Sequence, residues 1–409
     1  ADVRALLGDE RIGFTEVGST SHARGSLQAM VMRAANPGGP FGLKRVIDDV
    51  ARTTDMLCQE LPDVLSASGV DAIVTDQMEA AGGLVAEGLQ IPFVSVACAL
   101  PVNREPDIPL PVMPWGYASD ARGRQLNEGS TGVYDWLMRP HERVIARHAE
   151  RFGLGSRRRL DDCLSPLAQI SQTTPAFDFP RRSPPPHFHA VGPLRAPAQR
   201  ESPFEWAPDP ARPFAFASLG TLQGGRFGLF RRIARACAAE GVQVLIAHCN
   251  LLTARQADAL LDDGAFAVTG FAPQRAALAR ADIVFTHGGL NTVMDALAAG
   301  KPMLTLPIAF DQPGVAARVV HAGCGLRLLP ALATVGSLRR ALRRLLDEPG
   351  FTARSRELGA QVATSGGAAL AADITEAATG LAAPVVHRPA ISRERAALPA
   401  SATGWSHAA

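Results

Sequence analysis

The chain has 409 residues, of which 47% are hydrophobic and 20% charged, a composition typical of a globular protein with buried cores. The length suggests two domains of ordinary size. The formal net charge of +2 at pH 7 gives no support for an extended basic surface, so no nucleic-acid partner is expected.

The six cysteines stand singly, and none forms a CxxC pair. Several lie in apolar stretches such as SVACAL (95–100) and VLIAHC (244–249), where Cys behaves as a small hydrophobic residue. This pattern indicates a reducing compartment and not a disulfide scaffold. Neither a signal peptide nor an apolar run of about 18 residues is present, so we expect a cytoplasmic protein that does not span a membrane.

In chain order, the first half alternates strand-like and helix-like segments. Strands are predicted at 12–18, 71–77 and 92–98, and helices at 43–65 and 79–89. Apolar strands separated by helices indicate a parallel sheet covered on both faces. A Pro-rich apolar run and a polar loop then interrupt the pattern at 101–140, before a helix predicted from residue 134. We expect a folded lid over a site there and not a plain connection.

A segment dense in Pro and charge separates this half from a second alternating unit, with strands predicted near residues 214, 242, 265, 282 and 303. The sequence therefore predicts an α/β protein with two doubly wound domains, whose ligands bind at the carboxyl ends of the strands. The predicted division is an N-terminal domain at 1–192, a linker at 193–212, a C-terminal domain at 213–383 and a disordered tail at 384–409.

The segment FTHGGLNTVMDALAAG (285–300) begins a helix in a way that favours an anion. His287 follows a strand directly, and Gly288 and Gly289 open the helix, although a glycine costs about 1 kcal/mol relative to Ala in a helix. Glycine allows a ligand close to the backbone, and a helix start offers free N–H groups and the positive end of the helix dipole. Asn291 and Thr292 can add side-chain donors, so we expect a phosphate group at this helix start.

Two acids near this helix start suit the hydroxyls of a sugar. Asp295 lies four residues beyond Asn291 on the same helix face, where a carboxylate can accept from a vicinal diol. Asp311 and Gln312 follow the next strand and offer an acceptor and an amide. Each residue alone has an ordinary structural explanation, such as turn chemistry before a Pro. Their position at one end of one βαβ unit favours a binding site.

Other motifs are incomplete. No GxGxxG follows a strand and no GxxxxGK[ST] is present, so the dinucleotide and P-loop interpretations have no support. The segment FASLG around Ser218 lacks the first glycine of a GxSxG nucleophile turn. His187 and His189 have no partner at a metal-ligand spacing.

Three segments together resemble the donor-site signature of the family 1 UDP-glycosyltransferases, which have the GT-B fold: FAPQ (271–274), HGGLNTVMD (287–295) and GKPMLTLPIAFDQ (300–312). The spacings of eight residues from His287 to Asp295 and of twenty-four from His287 to Asp311 match that family. The resemblance implies a hexosyltransferase with two Rossmann-like domains facing a cleft.

The resemblance also implies roles for the matching residues. His287, Gly288, Gly289, Asn291 and Thr292 hold the donor phosphates; Asp295 takes the ribose diol; Asp311 and Gln312 bind the transferred sugar; Phe271 and Gln274 meet the nucleoside; and Ser218 and Thr221 belong to the loop after the first donor-domain strand. Plant members carry Trp where this chain has Phe271, so weaker stacking on uracil is expected.

The similarity extends over nearly the whole chain to the carotenoid-glucosylating branch of the family, through segments such as ARTTDMLCQELP (51–62) and ASLGTLQG (217–224). It implies transfer of glucose from UDP-glucose to an end-ring hydroxyl of a carotenoid, without a cofactor or a metal. Peripheral contact with a membrane is a further expectation, which the sequence itself does not reveal. Two alternatives remain open: transfer to another lipophilic aglycone such as a polyketide, and a nucleotide-sugar-binding protein without catalysis.

The chain departs from the family pattern at its start. Family members begin with a strand and a loop that carries the catalytic His, whereas Ala1 stands inside what resembles the following helix. The base is therefore expected to precede Ala1, and little transfer is expected from the chain alone. Asp76 is the candidate acid partner of that His and Glu79 the second candidate, while His22 is a weaker candidate for the base.

Overall fold

Two parallel β-sheets organise the chain, one in each half. The structure, a computed structural model, describes residues 4, 7, 11–195 and 203–381. The predicted tail at 384–409 and part of the predicted linker lie outside the described residues, as does most of the segment before residue 11.

The first half contains a sheet of four parallel strands in the order β1-β2-β3-β4. Its elements are α1 (Ser26–Ala35), α2 (Pro40–Ser68), β1 (Ile73–Asp76), α3 (Ala80–Gly88), β2 (Phe93–Ala97), α4 (Ala121–Arg151), β3 (Gln169–Ser171) and β4 (Phe188–Ala190).

The second half begins with β5 (Phe214–Ser218), α5 (Gly220–Gln223), α6 (Phe227–Ala239), β6 (Gln243–Ala247), α7 (Ala254–Asp262), β7 (Ala267–Thr269), α8 (Gln274–Arg280) and β8 (Ile283–Thr286). It continues with α9 (Leu290–Ala298), β9 (Met303–Thr305), α10 (Gln312–His321), β10 (Gly325–Arg327), α11 (Val335–Asp347), α12 (Pro349–Ala363) and α13 (Gly367–Thr379). Its six parallel strands have the order β10-β9-β8-β5-β6-β7. This is the doubly wound order, and the winding reverses between β5 and β8.

The predicted α/β class is confirmed, and most predicted elements form with their ends shifted by a few residues. The strand predicted at 12–18 is wrong, because the described residues provide no strand that pairs with it. The segment is a loop, and the Gly18 N–H donates to Glu60 of α2 at 2.6 Å. Helix α4 also begins well before the helix predicted from residue 134 and replaces the polar loop expected there.

Helix α13 falls in the range predicted for the C-terminal domain but packs on the first sheet. Its Ala371 shares a buried cluster with Val94 of β2 and Ile170 of β3. The chain therefore crosses between the halves twice. At the crossings the Gly367 N–H donates to the Val191 carbonyl at 2.7 Å. The predicted boundary at 193–212 stays a prediction.

A buried ion pair joins the two halves. Asp178 of the first half accepts from Arg318 Nε of α10 at 2.5 Å and from Arg181 Nε at 2.9 Å. The Arg318 and Asp178 side chains are 1% and 5% exposed. Burial alone would raise the pKa of Asp178, but Arg318 and Arg181 hold that pKa below its ordinary value. The Arg318 guanidinium also lies 4.2 Å from the centre of the Phe179 ring.

Substitution Arg318→Met should lower the free energy of unfolding by about 3 kcal/mol, because removal of one partner leaves Asp178 buried with less compensation. Arg181 remains beside Asp178, so the loss should lie at the low end of the ~3–5 kcal/mol range for broken buried pairs. Urea unfolding of the variant and of Arg344→Met, which breaks an exposed pair with Glu348, measures the difference. Equal losses in the two variants would contradict the prediction.

Candidate active site

A cleft of about 860 Å³ lies between the halves at the carboxyl ends of the strands. The ends of β5 and β8 form one wall, and residues 98–112 with one face of α4 form the other. Ligands of doubly wound sheets bind where the strand order reverses, which here is between β5 and β8. The Pro-rich apolar run predicted to fold over a site therefore contributes to a wall of this cleft.

Most of the predicted donor residues line the cleft: Ser218, Thr221, Phe271, Gln274, His287, Gly289, Asn291, Thr292, Asp311 and Gln312. Gly288 and Asp295 lie beside this lining and are not part of it. Phe271 is 63% exposed, so its ring is open to a ligand. The structure thus brings these residues together, and their individual roles stay predictions.

The glycines near His287 make room for its imidazole ring. A Cβ at Gly289 would lie 2.6 Å from Nε2 of the ring, and one at Gly220 would lie 2.6 Å from Cε1. Gly288 has a φ of +85°, which L side chains rarely adopt. Contact with the imidazole ring and the backbone conformation therefore also explain these glycines, in addition to the close approach of an anion that the sequence predicts.

The start of α9 and the His287 ring offer neutral hydrogen-bond donors. Burial lowers the pKa of His287 to about 4, so its ring is uncharged at neutral pH. Its Nδ1 is buried and has no hydrogen-bond partner among the described residues. Helix α9 has no side-chain cap at Gly289, which leaves N–H groups of its first turn for a ligand. Such a start can hold an anion through the backbone and the helix dipole.

Both oxygens of Asp295 are already bonded. Oδ1 accepts from Arg195 Nε at 2.9 Å, and Oδ2 accepts from Gln274 Nε2 at 2.7 Å. Arg195 also donates to the Asn291 side chain at 3.3 Å and to its carbonyl at 3.1 Å. A ribose diol would share or replace these bonds. Arg195 was missed by sequence reasoning, since it is 100 residues from Asp295 and in the predicted linker.

Asp311 and Gln312 are each partly engaged by the backbone. Asp311 accepts from the Leu100 N–H of the first half at 3.0 Å, and burial raises the pKa of its carboxyl group. Gln312 Oε1 accepts from the Ile308 and Ala309 N–H groups, both at 2.9 Å. Gln312 can therefore offer a ligand its amide nitrogen but not a free carbonyl, and Asp311 is shared between Leu100 and the cleft.

The two acids considered for catalysis differ in their surroundings. Asp76 ends β1 with an exposed carboxylate that accepts from the Met78 N–H at 2.8 Å. Glu79 is the N-cap of α3 and accepts from the Ala81 N–H at 3.0 Å and from Thr54 Oγ1 at 2.8 Å. Burial also raises the pKa of Glu79. Both hydrogen bonds of Glu79 support the fold, so Asp76 remains the better candidate for the partner of a base.

Other residues singled out by the sequence lie outside the cleft lining. His22 bonds Ser21 in a loop through Nδ1 at 2.9 Å, and His187 and His189 lie at β4. Among residues 11–195 and 203–381, no group of three His, Cys, Asp or Glu side chains can hold a metal ion. No helix in the described part of the chain is both long and apolar enough to cross a bilayer.

The first-half wall of the cleft contains a polar cluster that sequence reasoning missed. Tyr134, Asp135, His141 and Glu142 line the cleft from one face of α4. Arg104 donates to both carboxylate oxygens of Asp135, at 2.9 and 2.8 Å. The sequence contained a sign of this cluster, because a pair of polar residues recurs after seven positions in YDWLMRPHE. Seven residues make about two helical turns, so both pairs lie on one face of the helix.

Buried hydrogen bonds support this wall. His141 Nε2 lies 3.0 Å from Thr54 Oγ1, which in turn donates to Glu79. Burial lowers the pKa of His141 to about 4, so this ring is also neutral at neutral pH. Glu79, the second catalytic candidate, therefore acts in this structure as an anchor between α2, α3 and α4.

Comparison with known proteins identifies the family. The chain is 49% identical over 378 residues to the zeaxanthin glucosyltransferase of Pantoea ananas, which covers 92% of this chain and 87% of the relative. It is 52% identical over 336 residues to the zeaxanthin glucosyltransferase of Pseudescherichia vulneris, which covers 82% of this chain and 80% of that relative. The chain belongs to the family 1 glycosyltransferases. Both the family and the transferase prediction are confirmed, and the non-catalytic alternative loses its support.

Two further comparisons concern the fold of the glycosyltransferase. Residues 250–376 match the family described as erythromycin biosynthesis protein CIII-like, C-terminal domain. The calicheamicin glycosyltransferase CalG4 superposes with a TM-score of 0.68 at 23% identity, over 83% of this chain and 81% of that chain. The predicted GT-B fold is confirmed.

The neutral His287 ring predicts acid sensitivity of the glycosyltransferase. Burial lowers its pKa from 6.5 to about 4, so between these values the unfolded chain binds a proton that the folded chain excludes. The contribution of the neutral His287 ring to the free energy of unfolding is fully present above about pH 6.5 and is lost as the pH drops toward 4. A shift of this size removes about 2 kcal/mol of unfolding free energy between pH 7 and pH 5.

Urea unfolding at pH 7 and pH 5 tests this prediction. The variant His287→Asn should lose less stability than the wild type over this interval, because Asn does not titrate. The variant His22→Asn should keep the wild-type difference, since His22 lies in a loop outside the cleft lining. A pH difference that is the same in His287→Asn and in the wild type would show the prediction to be wrong.

Proposed function

We propose that the protein transfers glucose from UDP-glucose to a hydroxyl group of a carotenoid. The identity of about half with two zeaxanthin glucosyltransferases carries this proposal. The match to the Pantoea ananas enzyme spans 92% of the chain and so includes both walls of the cleft. Transfer to a polyketide remains an alternative that no feature of the cleft favours. The proposed location is cytoplasmic, with peripheral contact to a membrane.

The donor would occupy the second-half wall. His287 and the first turn of α9 would hold the diphosphate, Phe271 and Gln274 would meet the nucleoside, and Asp311 with the amide of Gln312 would bind glucose. The positive end of α9 favours a diphosphate without a metal ion. Independence from metals and cofactors is accordingly part of the proposal.

The acceptor would occupy the first-half wall, which is mainly apolar. The apolar side chains there come from the segment after β2 and from α4: Leu100, Val102, Leu110, Val112, Met138 and Ile145. A lipophilic chain binds such a surface by the hydrophobic effect. On the same wall, the ion pair of Arg104 and Asp135 can form a hydrogen bond with a hydroxyl group of the acceptor.

The proposed reaction is one displacement with inversion at the anomeric carbon. The acceptor oxygen forms a bond to that carbon as a general base takes its proton, and the bond to the diphosphate oxygen breaks to release UDP. Negative charge grows on the leaving diphosphate, where the α9 start and His287 are already oriented to stabilise it. We propose Asp76 as the acid that orients the base.

Incubation of a form of the protein that carries the expected catalytic base with UDP-glucose and zeaxanthin in detergent should yield a glucosylated carotenoid, detected by liquid chromatography with mass spectrometry. Product formation should persist in EDTA, because the α9 start takes the place of a metal.

The variant Asp311→Asn should keep UDP binding in calorimetry but lose about 5- to 150-fold of its UDP-glucose affinity, as expected for one lost buried partner. Absence of UDP binding by the wild type, or loss of product in EDTA that Mg²⁺ restores, would contradict the proposal.

The outer face of α4 supports the proposed membrane contact. It carries an apolar strip whose members are Leu126, Val133 and Trp136, exposed by 49%, 60% and 59%. Arg139 and Arg143 continue this face and form no salt bridge within the described ranges. Because successive helical residues turn by about 100°, this face is opposite the α4 face that lines the cleft. Aromatic and basic residues together suit the surface of an anionic bilayer.

The double variant Val133→Gln/Trp136→Gln should bind vesicles that contain anionic lipid several-fold more weakly than the wild type, because it removes the apolar strip. Co-sedimentation measures the bound fraction. Leu261→Gln, which replaces an exposed leucine of α7 in the second half, provides the matched control. Equal vesicle binding by the double variant and the control would contradict a contact through α4.

A further inference from the structure

Arg195 connects the segment after β4 to three residues of the predicted donor site. Its guanidinium bonds Asp295 through Nε and Asn291 through both Nη atoms, at 2.9 to 3.3 Å. Asp295 in turn bonds Gln274. Arg195 belongs to the chain between the two sheets, whereas Asn291 and Asp295 belong to α9, and Gln274, which Arg195 reaches only through Asp295, belongs to α8.

The donor wall contains few positive charges. Among the described residues that line the cleft from the second half, none is Arg or Lys. The lining arginines Arg104, Arg158 and Arg159 all belong to the first half, and two of them, Arg104 and Arg159, pair with Asp161. A nucleoside diphosphate at the α9 start would therefore meet backbone N–H groups and a neutral histidine, without a formal cation in the lining of that wall.

Asp295 makes this lack of cations costly. Its carboxylate lies one helical turn from the α9 start, and its side chain is only 10% exposed, so water screens its charge weakly. An unpaired carboxylate at this distance would repel the diphosphate. Arg195 pairs with it directly, and the Arg195 side chain is itself 31% exposed.

We propose that Arg195 is a positioning residue of the donor site, which neutralises Asp295 so that a nucleoside diphosphate can bind beside that acid. This inference rests on the proposed function, since it takes the ligand to be a nucleoside diphosphate. Arg195 acts through Asp295 and is not itself a catalytic residue.

The test compares the binding of UDP with that of uridine, which has the same base and ribose but no charge. In the variant Arg195→Met, the dissociation constant for UDP should rise about tenfold, the order expected for one unit charge at this range in a partly screened site. The dissociation constant for uridine should change less than about twofold, because uridine carries no charge for Asp295 to repel. Arg195→Lys should keep most of the preference for UDP.

A double-substitution cycle isolates the charge of Asp295. Asp295→Asn alone should weaken uridine more than UDP, since it alters a ribose contact of both ligands but leaves the Arg195 cation unpaired near the diphosphate. In the Arg195→Met background, the same substitution should instead restore part of the UDP affinity, because it removes the unpaired charge. Arg280→Met is the matched control: it removes one positive charge from α8, where Arg280 lies over the Phe204 ring, and should leave UDP binding unchanged.

Three outcomes would overturn the proposal. Equal weakening of UDP and uridine in Arg195→Met would show that Arg195 only maintains the local structure. Tighter binding of both ligands would show that Arg195 competes with the ribose. Further loss of UDP affinity on adding Asp295→Asn would show that charge is not the cause. Thermal melting of each variant verifies folding, and a wild type that binds uridine but not UDP would instead contradict the proposed function.

Discussion

The buried pair of Asp178 and Arg318 fixes the wall-to-wall geometry on which the cleft depends. Arg318 lies within α10, and the N-cap Asp311 and first residue Gln312 of that helix are the predicted contacts of the transferred sugar. The Asp311 carboxylate also accepts from Leu100, and the Gly314 N–H donates to the Pro111 carbonyl at 3.1 Å. Along one helix, therefore, the predicted sugar contacts and the attachments to the first half follow each other, and the first-half wall of the cleft is held against the predicted sugar position.

The second-half wall of the cleft was predictable from the sequence because its residues lie close together in the chain. His287, the two glycines after it and Asn291 lie within one strand-to-helix connection, and the strands of that half are short apolar runs with helices between them. Periodicity and motif spacing both operate over such distances. The structure added a reason that spacing could not give, namely that Gly220 and Gly289 accommodate the imidazole ring from two sides.

The first-half wall of the cleft was less predictable because its residues, which are far apart in the chain, meet only in the tertiary fold. Arg104 reaches Asp135 across 31 residues, and Thr54 reaches His141 across 87. The polar repeat on α4 was visible in the sequence, but a polar helix face usually faces solvent, and only the position of α4 beside the cleft gives it another meaning. The strand expected at 12–18 failed for a related reason, since a strand needs a partner and local pattern does not specify one.

The two chain crossings between the halves have a mechanical consequence. Gly367 bonds Val191, and a Cβ at Gly192 would lie 1.9 Å from Ser365 Oγ, so both crossings pass through the same small region. Gly192, Gly366 and Gly367 there have φ values of +81°, +90° and +54°. The hydrogen bond between these two segments therefore ties the halves together at a second place, apart from the pair of Asp178 and Arg318. Arg195 follows Gly192 by three residues, so the segment that joins the halves also carries the guanidinium group that pairs with Asp295. The connection between the halves and the neutralisation of Asp295 thus depend on one short stretch of backbone.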